Sequence, residues 1–261
     1  MNGQFVLTLS SIKLNDPKED DKIVAVPKYF ERFFSLLNLT DSYRAAEFNN
    51  QVIKLVSKLR DQDIPGCRGI LDDRLLELVK KSYDLDELDQ CLKYDFFRNV
   101  GYSTLGKTFL RYFFARVDHF ISDNSDLPEF GNYYQLVVQS KGNDTYHIEH
   151  VITNNPKNVI LFSDEEEFTS QRNRLGGLLL LKGKDNQSSG DEMYQDKLKT
   201  YNVVGTYFAK TLLQDMYHKK VEFAKFCSSS GLNFRPMLKF AKDEIEERQL
   251  LLFEVVKKIW M

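Results

Sequence analysis

Along most of this chain apolar residues recur at the spacing of an α-helix, and a single stretch breaks that rhythm. Phe30, Phe33, Phe34 and Leu37 fall at i, i+3, i+4 and i+7, and Val52, Leu55, Val56 and Leu59 repeat the pattern. Leu105, Phe109, Tyr112, Phe113, Val117 and Phe120 form a third stripe, and Ile245, Leu252, Val255, Val256 and Ile259 a fourth. Stripes of this kind bury one helix face. The break runs from His147 to Gly190. It reads as a short strand ending in Glu149-His150, an acidic turn, the apolar run Leu178–Leu181 behind two glycines, and a loop in which Asn186 opens a polar helix. The expected fold class is therefore α+β, mostly α: a helical domain plus a small ββα unit braced by C-terminal helices.

Residues 1–26, with the acidic turn Asp16–Asp21, read as a loose N-terminal arm. A helical domain is expected over 27–130, with helices beginning at Pro27. Pro65-Gly66 is expected to stop the second helix, and Asp84 with Glu87 resembles a capping box for a later one. The polar segment Asn124–Gly131 marks the boundary to a domain over 131–261. Tyr133–Gln139 reads as a strand or as a short buried helix, and Val203–Ala224 as one helix. Arg248, beside the last apolar stripe, reads either as a snorkelling arginine or as a buried one on a carboxylate or phosphate.

A net charge of −2 gives no global basic field, so any nucleic-acid contact has to be local. Cys67, Cys91 and Cys227 form no CxxC pair, which excludes a cysteine-rich zinc site and favours free thiols in a reducing compartment. The N-terminus lacks a signal-peptide pattern, and no apolar run approaches membrane-span length. A cytoplasmic location with no membrane partner is expected.

The central stretch holds what metal-assisted phosphodiester hydrolysis needs. A histidine can activate water, carboxylate and amide oxygens suit Mg²⁺ or Mn²⁺, and cationic side chains can place the backbone. Arg172, Arg174, Lys182 and Lys184 flank the second strand as candidate phosphate contacts. Other signatures fail: HIEH is neither HExxH nor HxxEH, His147-x-Glu149 lacks the PCxxC of zinc deaminases, and GYSTLGK has the wrong spacing for a phosphate loop. Taken alone, an EH pair with a distant Asn also fits a satisfied surface histidine.

The run YHIEHVITNNP, followed by NRLGGLLLLKGKDNQSSG and the helix DEMYQDKLKTY, resembles the C-terminal nuclease domain of the GmrSD family of bacterial restriction endonucleases, in the HNH (ββα-metal, His-Me finger) group. The closing segment FAKDEIEERQLLLFEVVKKIW is similar to that family's terminal helix. The likeness is good over 104–261 and loose before it. It implies an HNH-type endonuclease acting on DNA in defence against phage or foreign DNA, with a divalent metal, Mg²⁺ or Mn²⁺. It places His150 as general base and Glu149 and Asn186 as metal ligands. The family's Asn in its Leu-Gly-Asn-Leu run, which would orient the histidine, is Gly177 here. Asn173, or a main-chain carbonyl, is the expected substitute; otherwise the fold is a catalytically silent DNA-binding or regulatory module. The family's N-terminal, nucleotide-dependent ParB-like domain is expected on a missing segment or separate subunit.

Overall fold

The computed structural model describes residues 2–138, 142, 145–183 and 192–261. They fall into two compact units, Met1–Phe97 with Trp260–Met261, and Arg98–Ile259. The expected boundary at Asn124–Gly131 thus lies inside the second unit.

The first unit is built on α1 (Asn2–Ser11), α2 (Glu19–Leu39), α3 (Ala45–Leu59) and α4 (Ile64–Val79), followed by short helical turns at Leu88–Cys91 and Tyr94–Phe97. Leu7, Val26, Phe30, Phe33, Leu36, Leu55, Leu71 and Leu75 are buried between them. The acidic turn read as a loose arm is packed. Asp16 is buried and accepts from Lys22 Nζ at 2.7 Å, and the same ammonium donates to Ser11 O at 2.7 Å. Lys22 holds the Asp16 carboxyl down at about 2. The ion pair closes the corner between α1 and α2, and α2 starts at Glu19 and runs through Pro27. Pro65-Gly66 opens a helix rather than stopping one. Asp63 caps α4 by accepting from Gly66 N at 2.8 Å, and a proline in the first turn has no N–H to lose. The capping box expected at Asp84 and Glu87 leads only to the short turn Leu88–Cys91, and Glu87 makes no side-chain cap bond.

The second unit contains α5 (Lys107–Asn124), β1 (Tyr146–His150), α6 (Glu165–Arg172), β2 (Leu178–Lys182), α7 (Tyr194–Val204), α8 (Val221–Ser230) and α9 (Lys242–Trp260). The strands pair antiparallel, with Tyr146 opposite Lys182 and His150 opposite Leu178. Leu178, Leu179, Leu180 and Leu181 are all 0% exposed, so both faces of β2 are covered. That is why its sequence does not alternate. Tyr134–Val138, left open between strand and helix, is a helical turn.

The expected helix over 203–224 is broken. After α7 ends at Val204, short turns at Tyr207–Lys210 and Gln214–His218 precede α8. Gly205 packs so closely on the preceding turn that a Cβ would lie 2.4 Å from Tyr201 O. The N–H of Phe208 is satisfied by Asp118 Oδ1 at 2.7 Å.

The C-terminal helix holds the entry to β2. A Cβ on Gly176 would lie 2.2 Å from Ile245 O, so only glycine admits α9 this close. Gln249 Oε1 accepts from Gly176 N at 2.7 Å, and its Nε2 donates to Val100 O at 3.2 Å. Arg248 is buried at 1% exposure, donates to Gly176 O at 2.9 Å and stacks 4.1 Å over Phe208. Its guanidinium therefore serves main-chain carbonyls, and burial brings it down to about 10.

Candidate functional site

Neighbouring residues on a strand point to opposite faces, and the end of β1 uses this to separate an acid from a base. Glu149 is 5% exposed and forms an ion pair with Lys197 of α7, itself 1% exposed. Lys197 Nζ also donates to His150 O at 2.8 Å. Burial raises the Glu149 carboxyl, against the pull of Lys197, and burial lowers the Lys197 ammonium, against the pull of Glu149.

His150 is half-buried on the other side. Its Nε2 lies 2.9 Å from Asn173 Oδ1, and its ring centroid is 4.9 Å from that of Tyr102. The Asn173 amide is oriented by Nδ2 donating to Ser103 Oγ at 3.3 Å. A carbonyl oxygen only accepts, so in this orientation Nε2 carries the proton and Nδ1 keeps the lone pair. Burial, reinforced by the charges of Arg172 and Lys197 and opposed by the bond to Asn173, lowers His150 to about 4. The imidazole is neutral at neutral pH. Asn173 is itself fixed from the main chain: Tyr102 N donates to its carbonyl at 2.7 Å, and a Cβ on Gly101 would lie 2.0 Å from that oxygen.

Asn173 also lines a cleft of about 640 Å³ with Asn99, Ser103, Glu165, Glu166, Thr169 and Ser170. Of the four cationic residues expected to place phosphates, Arg172 is half-buried, donates from Nε to Ile152 O at 3.3 Å and sits 5.6 Å over Phe168. Arg174 is 3% exposed and committed to Glu246 at 2.6 Å and Arg98 O at 2.7 Å, so its guanidinium is not offered to a ligand. Lys182 stands at the end of β2 opposite Tyr146. Lys184 and Asn186 lie outside the described residues.

The sequence profile of the GmrSD restriction endonucleases, C-terminal domain, matches residues 89–255. The chain belongs to that family. No curated protein and no solved structure matches it. Membership in the GmrSD family implies a nuclease domain of a restriction system, with DNA as substrate and dependence on a metal. Among the described residues no helix is long and apolar enough to cross a membrane.

The described residues do not, as arranged, fit the implied ion. Hard carboxylate oxygens are present, and Glu192 Oε2 is buried with no hydrogen-bond partner. Yet Glu149 is already neutralised by Lys197, and no group of three His, Cys, Asp or Glu side chains converges among the described residues. A family Asn at position 177 has no room either, because a Cβ on Gly177 would lie 2.6 Å from Arg172 O.

Sequence reasoning missed Lys197 and Tyr102. Lys197 did leave a trace: with Tyr194 and Tyr201 it falls at i, i+3 and i+7, a lysine on the buried face of α7. Tyr102 left none, being one aromatic in a loop distant in sequence from the strand it meets.

Proposed function

We propose that this chain is an HNH-type DNA endonuclease domain working in restriction of foreign DNA, with His150 as general base. The observation that supports this most is the state of the imidazole. Its Nε2 lies 2.9 Å from Asn173 Oδ1, a contact that leaves the lone pair on Nδ1 when Nε2 carries the proton, and burial disfavours its charged form. In this reading Nδ1 takes the proton from the attacking water, and Asn173 holds the ring in the required tautomer. Asn173 does the work that the family assigns to the side chain lost at Gly177. Arg172 and Lys182, with Lys184 as a third candidate from the sequence, contact phosphates, while Arg174 supports the fold instead. The sequence-expected ligands of the family's Mg²⁺ or Mn²⁺ are Glu149 and Asn186; Glu149 is instead paired with Lys197, and Asn186 lies outside the described residues. Target choice and nucleotide dependence belong to a ParB-like domain or subunit.

A second reading has its own support. The Glu149–Lys197 pair and the missing Asn at 177 are what a silenced nuclease fold retained for DNA binding or regulation would show.

Plasmid nicking with Mg²⁺ or Mn²⁺, with EDTA controls, separates the two. A general base contributes about 10²–10⁴-fold, so His150→Ala is expected to lose cleavage by that factor while keeping its fold. Full cleavage by His150→Ala refutes the assignment. Absence of cleavage in folded wild type favours the silent module.

A further inference from the structure

The turn that leads into α5 reaches the site from outside the strand pair. Its sequence, GYSTLGK, has the wrong spacing for a phosphate loop, yet it brings a lysine close to the histidine. The turn closes on itself: Leu105 N donates to Gly101 O at 3.0 Å, and Thr104 Oγ1 accepts from Gly101 N at 3.0 Å. It is also pinned to the segment before β2, by the isolated bridge of Gly101 with Arg174 and by Leu175 N donating to Val100 O at 3.0 Å. The half-buried Tyr102 is thereby set with its ring 4.9 Å from the His150 ring, and Lys107 Nζ lies 5.7 Å from the centre of the same tyrosine. One aromatic ring therefore has both the imidazole and an ammonium against it.

Lys107 is exposed, and among the described residues its ammonium makes no ion pair or hydrogen bond. No acid stands in the first turn of α5 to claim it. A cation over an exposed ring is held weakly and keeps its three N–H donors for an oxygen ligand. The cleft beside Asn173 does not compete for a polyanion, since Glu165 and Glu166 line it and its lining residues include no basic side chain. A backbone phosphate is the ligand that matches this ammonium: anionic, rich in acceptors, and repeated along the molecule that the imidazole would act on. We propose that Lys107 binds a backbone phosphate of the DNA engaged by His150. The proposal rests on the reading of the chain as a DNA endonuclease, and it adds a contact from α5 to those of Arg172 and Lys182.

The test is binding of the full chain to a fluorescent DNA duplex in EDTA, followed by anisotropy from low to high salt. Wild type, Lys107→Ala, Lys107→Arg and Arg172→Ala are compared with Lys225→Ala, which removes an exposed lysine of α8. Each neutralised phosphate contributes about 0.9 to the slope of log affinity against log salt, so Lys107→Ala is expected to lower the slope by about 1. Lys107→Arg, which keeps the charge, and Lys225→Ala, which removes one elsewhere, are expected to hold the wild-type slope. An unchanged slope in Lys107→Ala overturns the proposal, and if Arg172→Ala lowers the slope in the same series the DNA endonuclease reading stands. An equal fall in Lys225→Ala also overturns it, because net charge alone is then the cause. So does an equal fall in Lys107→Arg, because charge is then not what was lost. Wild type without salt-dependent binding to the duplex sinks the proposal and the reading together.

Discussion

Restoring the family's asparagine at Gly177 is expected to harm this protein. A Cβ there would lie 2.6 Å from Arg172 O and 3.1 Å from Arg172 C, and both are main-chain atoms that cannot swing aside. Gly177 O also accepts from Val151 N at 2.9 Å just beyond β1, so a shift of this backbone pulls on the strand that carries His150. Overpacking of this kind costs typically about 1–3 kcal/mol. At roughly 2–4 °C per kcal/mol for a unit of this size, Gly177→Asn should melt some degrees below wild type. Gly177→Ala should fall by a similar amount, because the obstruction begins at Cβ. Asn173→Ala, by contrast, should keep its melting temperature within a few degrees and lose plasmid nicking by about 10- to 100-fold, the range seen when a partner orienting a functional imidazole is removed. Adding Gly177→Asn to Asn173→Ala should recover nothing. A Gly177→Asn protein that melts with wild type, or that rescues the Asn173→Ala nuclease, refutes the idea that the orienting amide has moved along the chain.

Two further outcomes follow from particular charges. Burial raises Asp118 to about 7, so between about pH 4 and 7 the folded state keeps a proton that the unfolded chain, with an ordinary value near ~3.9, releases. Stability from this group is complete below about pH 4 and is lost as the pH rises through about 7. Asp118→Asn, which keeps an acceptor for Phe208 N, should flatten that part of the profile in urea titrations, and an unchanged slope contradicts it. Arg172→Ala should weaken DNA binding across sequences and lower the slope of log affinity against log salt by about 1, whereas an unchanged slope removes Arg172 from the phosphate contacts.

The strand pair was legible because both of its sequence signals are local: a β-rich run ending in Glu149-His150, and an unbroken apolar run behind two glycines. The long apolar stripes likewise gave helices where they were expected. What escaped was decided by partners elsewhere. Asp16 looked solvated until Lys22 was folded back onto it. The break after Val204 depends on Asp118, which lies ninety residues away from the N–H it satisfies. At the site, His150 and Asn173 are readable in the sequence, since the family resemblance points to the histidine and Asn173 is an amide four residues before the glycine at 177. Lys197 shows in the sequence only as a lysine on the buried face of α7, and its partner Glu149 is set by the three-dimensional path.

The grip of α9 on the strand entry has a consequence for biosynthesis. Gly176 and Leu178 are held by Arg248 and Gln249, about seventy residues later in the chain. A nascent polypeptide that has already exposed His150, Asn173 and Lys197 still lacks the clamp that fixes the second strand. Chains fold as their segments emerge at about 5–20 residues per second, so several seconds pass before the clamp is available. Throughout that interval the second strand lacks its clamp, and the arrangement around His150 is completed only after α9 has docked.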